Sequence, residues 1–208
     1  MTGSRRRLGR RFFARPAVEV APDLLGRLLV REMSSGRRLS GRIVETEAYE
    51  QSDPASHSYR GRTERNGVMF GGPGLLYVYF TYGMHFCMNV VTGPEGVGSA
   101  VLLRAVEPLD GIDLMARRRS TRDLRLLCAG PARMCQAFGV ARRQNGLDLV
   151  AGSEMHIEAG IPAQETDIAA GSRVGVRDGV GRDWRFRLRD DEFVSRARPG
   201  MPATRTPR

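Results

Sequence analysis

The sequence predicts a single α+β domain, and three observations support this prediction. A chain of 208 residues, 41% hydrophobic and 27% charged, is long enough for one domain with a sizeable core. The stretch 75–91 (LLYVYFTYGMHFCMNVV) predicts two apolar, aromatic-rich strands joined at Tyr82 and Gly83, because glycine permits the positive φ of a tight hairpin turn. Pro108 and Pro131 each open a helical stretch, as expected for proline in the first turn of a helix.

The remaining elements follow from local patterns along the chain. Residues 1–15 hold six arginines and no acidic residue, which predicts a basic, flexible arm. A short helix is predicted for 17–27, with Pro22 at a first helical position. The domain is predicted to span 16–195 and to end in a disordered basic tail over 196–208. Its other predicted elements are strands at 28–33, 38–49, 99–107, 173–176 and 184–188, helices at 108–119 and 128–138, and a long loop at 50–74.

The net charge of +10 comes from the two ends of the chain. Residues 196–208 add four arginines and no acid to the six of residues 1–15, so 23 arginines balance 23 acidic residues in between. The basic ends either raise non-specific affinity for a phosphate backbone or are solvated ends without a partner. Specific binding of nucleic acid must therefore come from how charge is distributed within the neutral body.

Composition also excludes several classes of function. The chain contains no lysine, which excludes a lysine Schiff base. The odd number of cysteines (Cys87, Cys128 and Cys135) predicts buried thiols in a reducing cytoplasm, and their spacing is not that of a zinc site. No apolar run approaches the roughly 18 residues of a membrane span. We therefore expect no metal, no cofactor, no membrane contact and a cytoplasmic location, near the nucleoid if the source is bacterial.

Two predicted strands place charged residues in unusual positions. In the strand 38–49, period-two alternation puts Glu45 and Glu47 on one face with Ile43 and Tyr49. This face is either a solvent-facing charged surface or a site that combines carboxylates with an aromatic ring. In the strand 99–107, Arg104 lies in a buried pattern and should have an anionic partner.

Two further features carry alternative interpretations. Tyr82 at a hairpin tip is either a wedge that enters a base stack or a ring half buried against the core. The Gly130-Pro131 step opens a helix whose amino terminus could attract phosphate with help from Arg133, or it is an ordinary helix start.

Four blocks of sequence together resemble one family. They are 41–49 (GRIVETEAY), 74–89, 101–108 and 127–136, and they are similar to DNA-3-methyladenine glycosylases of the alkyladenine (alkylpurine) type over about 16–195. The resemblance implies one domain with a curved, mainly antiparallel sheet, flanked by helices and carrying a protruding hairpin. It also implies a monomer that removes alkylated or deaminated purines from duplex DNA by hydrolysing the N-glycosidic bond.

The resemblance assigns roles to matching positions. It implies that Glu47 is the general base for the attacking water and that Arg104 holds this water. It implies a base pocket formed by Tyr49, His57, Tyr79, Asn89 and Leu102, and a wedge at Tyr82. Positions near the DNA backbone or beside the wedge are Thr63, Arg65, Met69, Gly130 and Arg133. The loop between Tyr49 and His57 is one residue shorter than in the mammalian form, Gly71-Gly72 replaces bulkier residues, and Arg133 replaces a familiar lysine. Glu45 is expected to form a structural salt bridge.

Two alternative functions are compatible with parts of the sequence. One is a non-catalytic module that binds damaged DNA or RNA, although pure binding has no use for Glu47. The other is a metallohydrolase that uses His57, His85 and His156, although these residues lack ligand spacing. Because bifunctional glycosylases need an amine nucleophile, the absence of lysine predicts a monofunctional enzyme.

Overall fold

The computed structural model describes residues 4–81, 83–176 and 181–196, and within them nine strands form one antiparallel sheet. The strand order is β1-β7-β2-β3-β6-β5-β4, while β9 pairs with both β3 and β8. The strands are β1 Ser4–Arg7, β2 Leu28–Glu32, β3 Arg38–Tyr49, β4 Leu76–Thr81, β5 His85–Val91, β6 Ala100–Asp110, β7 Met155–Gly160, β8 Ile168–Gly171 and β9 Arg185–Leu188. The α+β class with a mainly antiparallel sheet is confirmed.

The central strand β3 organises the sheet. Its first half pairs with β2, its residues Glu45, Thr46 and Glu47 pair with β9, and its other edge pairs with β6 along most of its length. The register against β6 shifts between Ile43 and Thr46, in the segment that carries the first carboxylate. Such irregularities re-aim side chains and often occur beside functional sites. Both carboxylates of the predicted pair therefore lie where the strand is paired on both edges.

Five helices accompany the sheet in the described residues, and their buried side chains belong to one apolar cluster. They are α1 Arg10–Phe13, α2 Ala17–Asp23, α3 Ile112–Arg119, α4 Leu124–Leu127 and α5 Pro131–Phe138. Fully buried residues of these helices, including Phe13, Val20, Met115 and Phe138, form one apolar cluster with sheet residues such as Leu103. Each such buried side chain contributes roughly 1.5–3 kcal/mol. None of the described helices is long and apolar enough to cross a bilayer.

Helix α5 shows how the sequence sets both ends of an element. Pro131 occupies the first turn, as predicted, and Gly139 ends the helix with φ +70°. A Cβ at Gly139 would lie 2.7 Å from the guanidinium carbon of Arg118, a side-chain end that can shift, so the positive φ is the main reason for glycine here.

The prediction of a flexible arm is wrong for residues 4–15. Strand β1 pairs with β7, the amide of Leu8 donates to the carbonyl of Ile157 at 2.9 Å, and Phe13 is fully buried. The charge count missed two apolar anchors, Leu8 and Phe13, that attach a basic segment to the core. Residues 1–3 and 197–208 lie outside the described part of the chain, so most of the predicted tail does too.

Several other predicted elements differ from the structure, and three cases have a clear local cause or outcome. Pro108 lies within β6, opposite Gly41 and beside a register shift, and the helix begins only at Ile112 after Gly111 turns the chain with φ +74°. A bulge accommodates the missing N–H of proline. Pro22 lies near the end of α2, and Pro16 precedes its first turn instead. Residues 173–176 form bends rather than a strand.

Candidate active site

A cavity of about 340 Å³ opens between the β4–β5 hairpin, the ends of β3 and β6, and the bends at 173–176. This volume falls within the usual range for small-ligand pockets. Six residues predicted for catalysis or for the base pocket line it: Tyr49, His57, Tyr79, Asn89, Leu102 and Arg104. The other lining residues are Ala55, Met69, Tyr77, Thr81, Cys87, Pro131, Val174, Gly175 and Val176.

Aromatic rings form one wall of the cavity. The rings of Tyr77 and Tyr79 stack at 5.5 Å with an interplanar angle of 28°, and His57 meets Tyr79 edge-on at 4.5 Å. The hydroxyl of Tyr77 is 3.1 Å from Nδ1 of His57. Tyr77 was missed in the sequence, although its alternation with Tyr79 on β4 was the signal that could have identified it.

The carboxylate of Glu47 is fully buried behind this cavity. Its Oε2 accepts a hydrogen bond from the Tyr49 hydroxyl at 2.8 Å, and its Oε1 accepts one from the Val174 amide at 2.7 Å. Nη1 of Arg104 lies 3.3 Å from the same Oε1. All three partners line the cavity, so Glu47 is connected to it through residues that would contact a ligand.

The second carboxylate, Glu45, faces different neighbours. Its Oε1 accepts hydrogen bonds from Nε of Arg104 at 3.0 Å and Nε of Arg185 at 2.6 Å, and its Oε2 accepts one from the Ser195 amide at 2.9 Å. Burial would raise the pKa of Glu45, but Arg104 and Arg185 hold it below its ordinary value. The solvent-facing interpretation of this strand face is therefore wrong, and Glu45 forms the expected salt bridge.

Arg104 has the anionic partner that its buried position requires, and in fact it has two. Burial alone would lower its pKa, but the charges of Glu47 and Glu45 outweigh this effect and raise it. The guanidinium therefore stays charged and cannot act as an acid or base, which limits its role to electrostatic and hydrogen-bonding contacts.

The other titratable pocket residues are held neutral. Burial, followed by the charge of Glu47, raises the pKa of Tyr49 well above its ordinary value. Burial also raises the pKa of Tyr79 strongly, with Cys87 as the next cause. Desolvation lowers the pKa of His57, and the positive charge of Arg65 adds to this effect. At neutral pH the pocket therefore presents protonated hydroxyls and an uncharged imidazole.

The remaining predicted pocket residues occupy the expected wall. Nδ2 of Asn89 donates to the carbonyl of Tyr77 at 3.2 Å, and Leu102 lies opposite Asn89 on β6. Met69, assigned to the DNA backbone, is instead buried and lines the cavity, because it packs with Phe70 in a small second core.

The predicted backbone-contacting residues other than Met69 surround the cavity on the surface. Thr63 and Arg65 are exposed on the loop that carries His57, and the Arg65 guanidinium lies 6.0 Å from the centre of the Tyr79 ring. Gly130 and exposed Arg133 lie at the start of α5, beside Pro131 of the cavity wall. Tyr82 lies outside the described residues, and the nearby Met84 at the hairpin tip is 70% exposed.

Sequence reasoning missed the segment that closes the cavity opposite the hairpin. Val174, Gly175 and Val176 line it, and the preceding Arg173 forms a buried ion pair with Asp53. No local pattern marks these residues, because the partners of the ion pair are 120 positions apart.

The histidines do not support a metal centre. His57 lines the cavity, His85 is exposed on β5, and His156 is buried on β7 beside Glu158. Within 4–81, 83–176 and 181–196, no group of three His, Cys, Asp or Glu side chains is arranged to hold a metal ion.

The fold and the site define a protein with an aromatic-walled pocket next to a buried carboxylate that is balanced by arginine. Comparison with known proteins gives a particular family. The chain belongs to the methylpurine-DNA glycosylase family, whose model matches residues 11–192. The family resemblance noted in the sequence is therefore confirmed.

Similar proteins occur in several bacteria and cover nearly the whole chain. A protein of Carboxydothermus hydrogenoformans is 49% identical over 189 residues, which is 91% of this chain and 98% of that protein. One of Burkholderia orbicola is 50% identical over 195 residues, 91% of each chain, and one of Streptomyces avermitilis is 50% identical over 203 residues, 95% of each. All three carry the name "Putative 3-methyladenine DNA glycosylase".

Proposed function

We propose that this protein is a monofunctional DNA glycosylase that removes methylated and related damaged purines from duplex DNA. The observation that carries the proposal is the position of Glu47, which is buried behind the pocket and held by three residues that line it. Family membership and the names of the relatives support the same activity.

The pocket suits a purine that has left the base stack. Rotating a nucleotide out of a duplex costs a few kcal/mol, least for a damaged or mispaired base. Stacking on Tyr49 and Tyr79 would recover roughly 1–3 kcal/mol per base. A purine that alkylation has made positively charged gains in addition a cation–π attraction of about 0.5–2 kcal/mol from the aromatic wall. In this scheme Tyr82 is the wedge that fills the gap in the duplex.

The chemistry requires delivery of one water molecule. The water oxygen attacks C1′ of the sugar while the bond from C1′ to the base nitrogen breaks, and the electron pair leaves with the base. Glu47 takes the proton from the water, a step that typically contributes about 10²–10⁴-fold. In this scheme Arg104, which contacts the same carboxylate, orients the water and remains charged throughout.

The composition supports a glycosylase without strand-cleaving activity. A Schiff base requires an amine, and this chain has no lysine side chain to supply one. The product is therefore expected to be an intact strand with an abasic site, which breaks only after alkali. Strand breaks that appear before alkali, in enzyme free of contaminating nuclease, would contradict this prediction.

The test is single-turnover base release from duplexes that contain hypoxanthine or ethenoadenine, using wild type and Glu47→Gln. Wild type should generate alkali-sensitive sites, and the variant should bind the duplex but release almost no base. Equal release by both proteins would place the general base elsewhere. Binding without release by wild type would favour a non-catalytic module.

A further inference from the structure

The bends at 173–176 line one side of the pocket, and the buried side chain of Arg173 and the amide of Val174 both hold them. Val174, Gly175 and Val176 face the cavity, while the side chain of Arg173 is fully buried and is not part of the lining. The segment is not part of a strand, so side-chain contacts such as those of Arg173 contribute to its position.

The Arg173 guanidinium joins three parts of the chain. Nη1 donates to the carbonyl of Ala48 at 3.0 Å, at the end of β3. Nη2 donates to Oδ1 of Asp53 at 3.0 Å, and Nη1 contacts the other oxygen of the same carboxylate. The guanidinium carbon also lies 4.7 Å from the centre of the Tyr49 ring and 5.5 Å from that of Trp184.

Arg173 affects the pocket through two residues that line it, Tyr49 and Val174. Tyr49 lines the cavity and Arg173 does not, so the guanidinium covers a part of the ring that is turned away from a ligand. The next residue, Val174, donates its amide to Glu47 at 2.7 Å. A displacement of Arg173 would therefore move both the ring that stacks on the base and the donor that orients the carboxylate.

We propose that Arg173 is a positioning residue that holds Tyr49, Val174 and the loop of Asp53 and His57 as one rigid wall for the extrahelical base. This inference rests on the proposed function and extends it to a residue outside the cavity. Arginine suits the role because its planar group can stack on a ring while donating to a carboxylate and a carbonyl together.

The charges of the buried cluster make lysine an informative substitution. Three buried arginines, Arg104, Arg173 and Arg185, lie with three fully buried carboxylates, Glu45, Glu47 and Asp53. Arg173→Lys keeps this balance, so it removes the planar geometry without leaving an uncompensated carboxylate. A change in activity would then report on position rather than on net charge.

The experiment compares Arg173→Lys with wild type in single-turnover release at saturating enzyme, together with duplex affinity and thermal unfolding. We expect the maximal rate constant to fall about 10- to 100-fold, since small misplacements of reacting groups have effects of this size. Duplex affinity should change less than about threefold, because phosphate contacts dominate it.

Arg31→Lys is the matched control. Arg31 is similarly buried, donates to the carbonyls of Phe138 and Gly139, and pairs with Glu154, but none of these residues lines the cavity. It should lose a comparable amount of thermal stability and keep the wild-type rate constant.

Two results would overturn the inference. One is a folded Arg173→Lys protein with the wild-type rate constant, and the other is an equal loss of rate in Arg31→Lys. If Arg173→Lys does not fold, Asp53→Asn is measured instead. Its rate constant should fall by the same factor, and a folded Asp53→Asn protein with the wild-type rate constant would overturn the inference. A wild-type protein that releases no base would instead overturn the proposed function, and this inference with it.

Discussion

Glu45 and Glu47 are two residues apart on one strand, both are fully buried, and both contact Arg104. Their other partners differ. Glu45 is bound by Arg185 and the Ser195 amide, which are not part of the cavity lining, whereas Glu47 is bound by Tyr49 and Val174, which line it. Residue type and burial are therefore the same, and only the neighbours separate a structural ion pair from a candidate catalytic base.

The two carboxylates also differ in how many cations offset the cost of burying their charge. Two arginines approach Glu45 directly, which offsets the cost of burying its charge and ties β3 to β6 and β9. Glu47 has one such cation and two neutral donors. A group held mainly by neutral donors next to a cavity can exchange partners with a ligand or a water at lower cost.

The largest expected effect is on activity, in Glu47→Gln. Loss of the proton acceptor should lower the single-turnover rate of base release by about 10²–10⁴-fold. Glu47 loses one arginine contact and Glu45 loses two, so the free energy of unfolding should fall less in Glu47→Gln than in Glu45→Gln. A larger loss of stability in Glu47→Gln would reverse the roles assigned to the two carboxylates.

Glu45→Gln should have the largest effect on stability. Removing this charge leaves Arg185 without its carboxylate partner and Arg104 with one instead of two, and breaking a buried pair typically costs about 3–5 kcal/mol. Urea unfolding measures the loss. The folded variant should release base within about tenfold of the wild-type rate, and a near-silent but fully stable variant would contradict the comparison.

Tyr49→Phe tests the neutral donors of Glu47. The ring remains for stacking, but the carboxylate loses a hydrogen bond, and such bonds to charged groups are worth about 1.5–3 kcal/mol. The rate of release should fall about tenfold or more. Tyr77→Phe is the control, because its hydroxyl contacts His57 rather than a carboxylate, and it should retain most of the activity.

The smallest expected effect concerns acid stability. The pKa of Glu45 is lowered in the folded protein from its ordinary value of 4.5, so its ion pairs stabilise the fold above that value. This contribution is lost as the pH falls through the lowered folded pKa, because a protonated carboxyl no longer attracts Arg104 and Arg185. Urea unfolding from pH 7 to pH 3 should show a steeper loss for wild type than for Glu45→Gln. Parallel curves would mean that Glu45 contributes no pH dependence.

The sequence was informative where a role is encoded locally. Alternation in β3 placed Glu45, Glu47 and Tyr49 on one face, and the predicted bounds of that strand match the structure. The resemblance identified six catalytic or base-pocket residues that line the cavity, and Met69, which it assigned elsewhere, lines the cavity too.

Elsewhere the sequence was silent or misleading, for physical reasons. The pairing of Arg173 with Asp53 depends on packing between distant segments, and no periodicity encodes it. Residues 1–15 were predicted to be a solvated arm because arginine dominates their composition. The buried ring of Phe13 nevertheless anchors the end of this segment in the core. The role of Tyr82 as a wedge stays a prediction.

The double pairing of β3 has a consequence for amide hydrogen exchange. Glu45 to Glu47 are hydrogen-bonded to β6 on one side and β9 on the other, so their amides should exchange only through global unfolding. The bends at 173–176 and the loop that carries His57 lack such ladders and can open at lower free energy. A deuterium-labelling time course would then show slower exchange at Glu45 to Glu47 than in the segments that Arg173 joins. The carboxylate behind the cavity would therefore keep its backbone position until the whole domain unfolds.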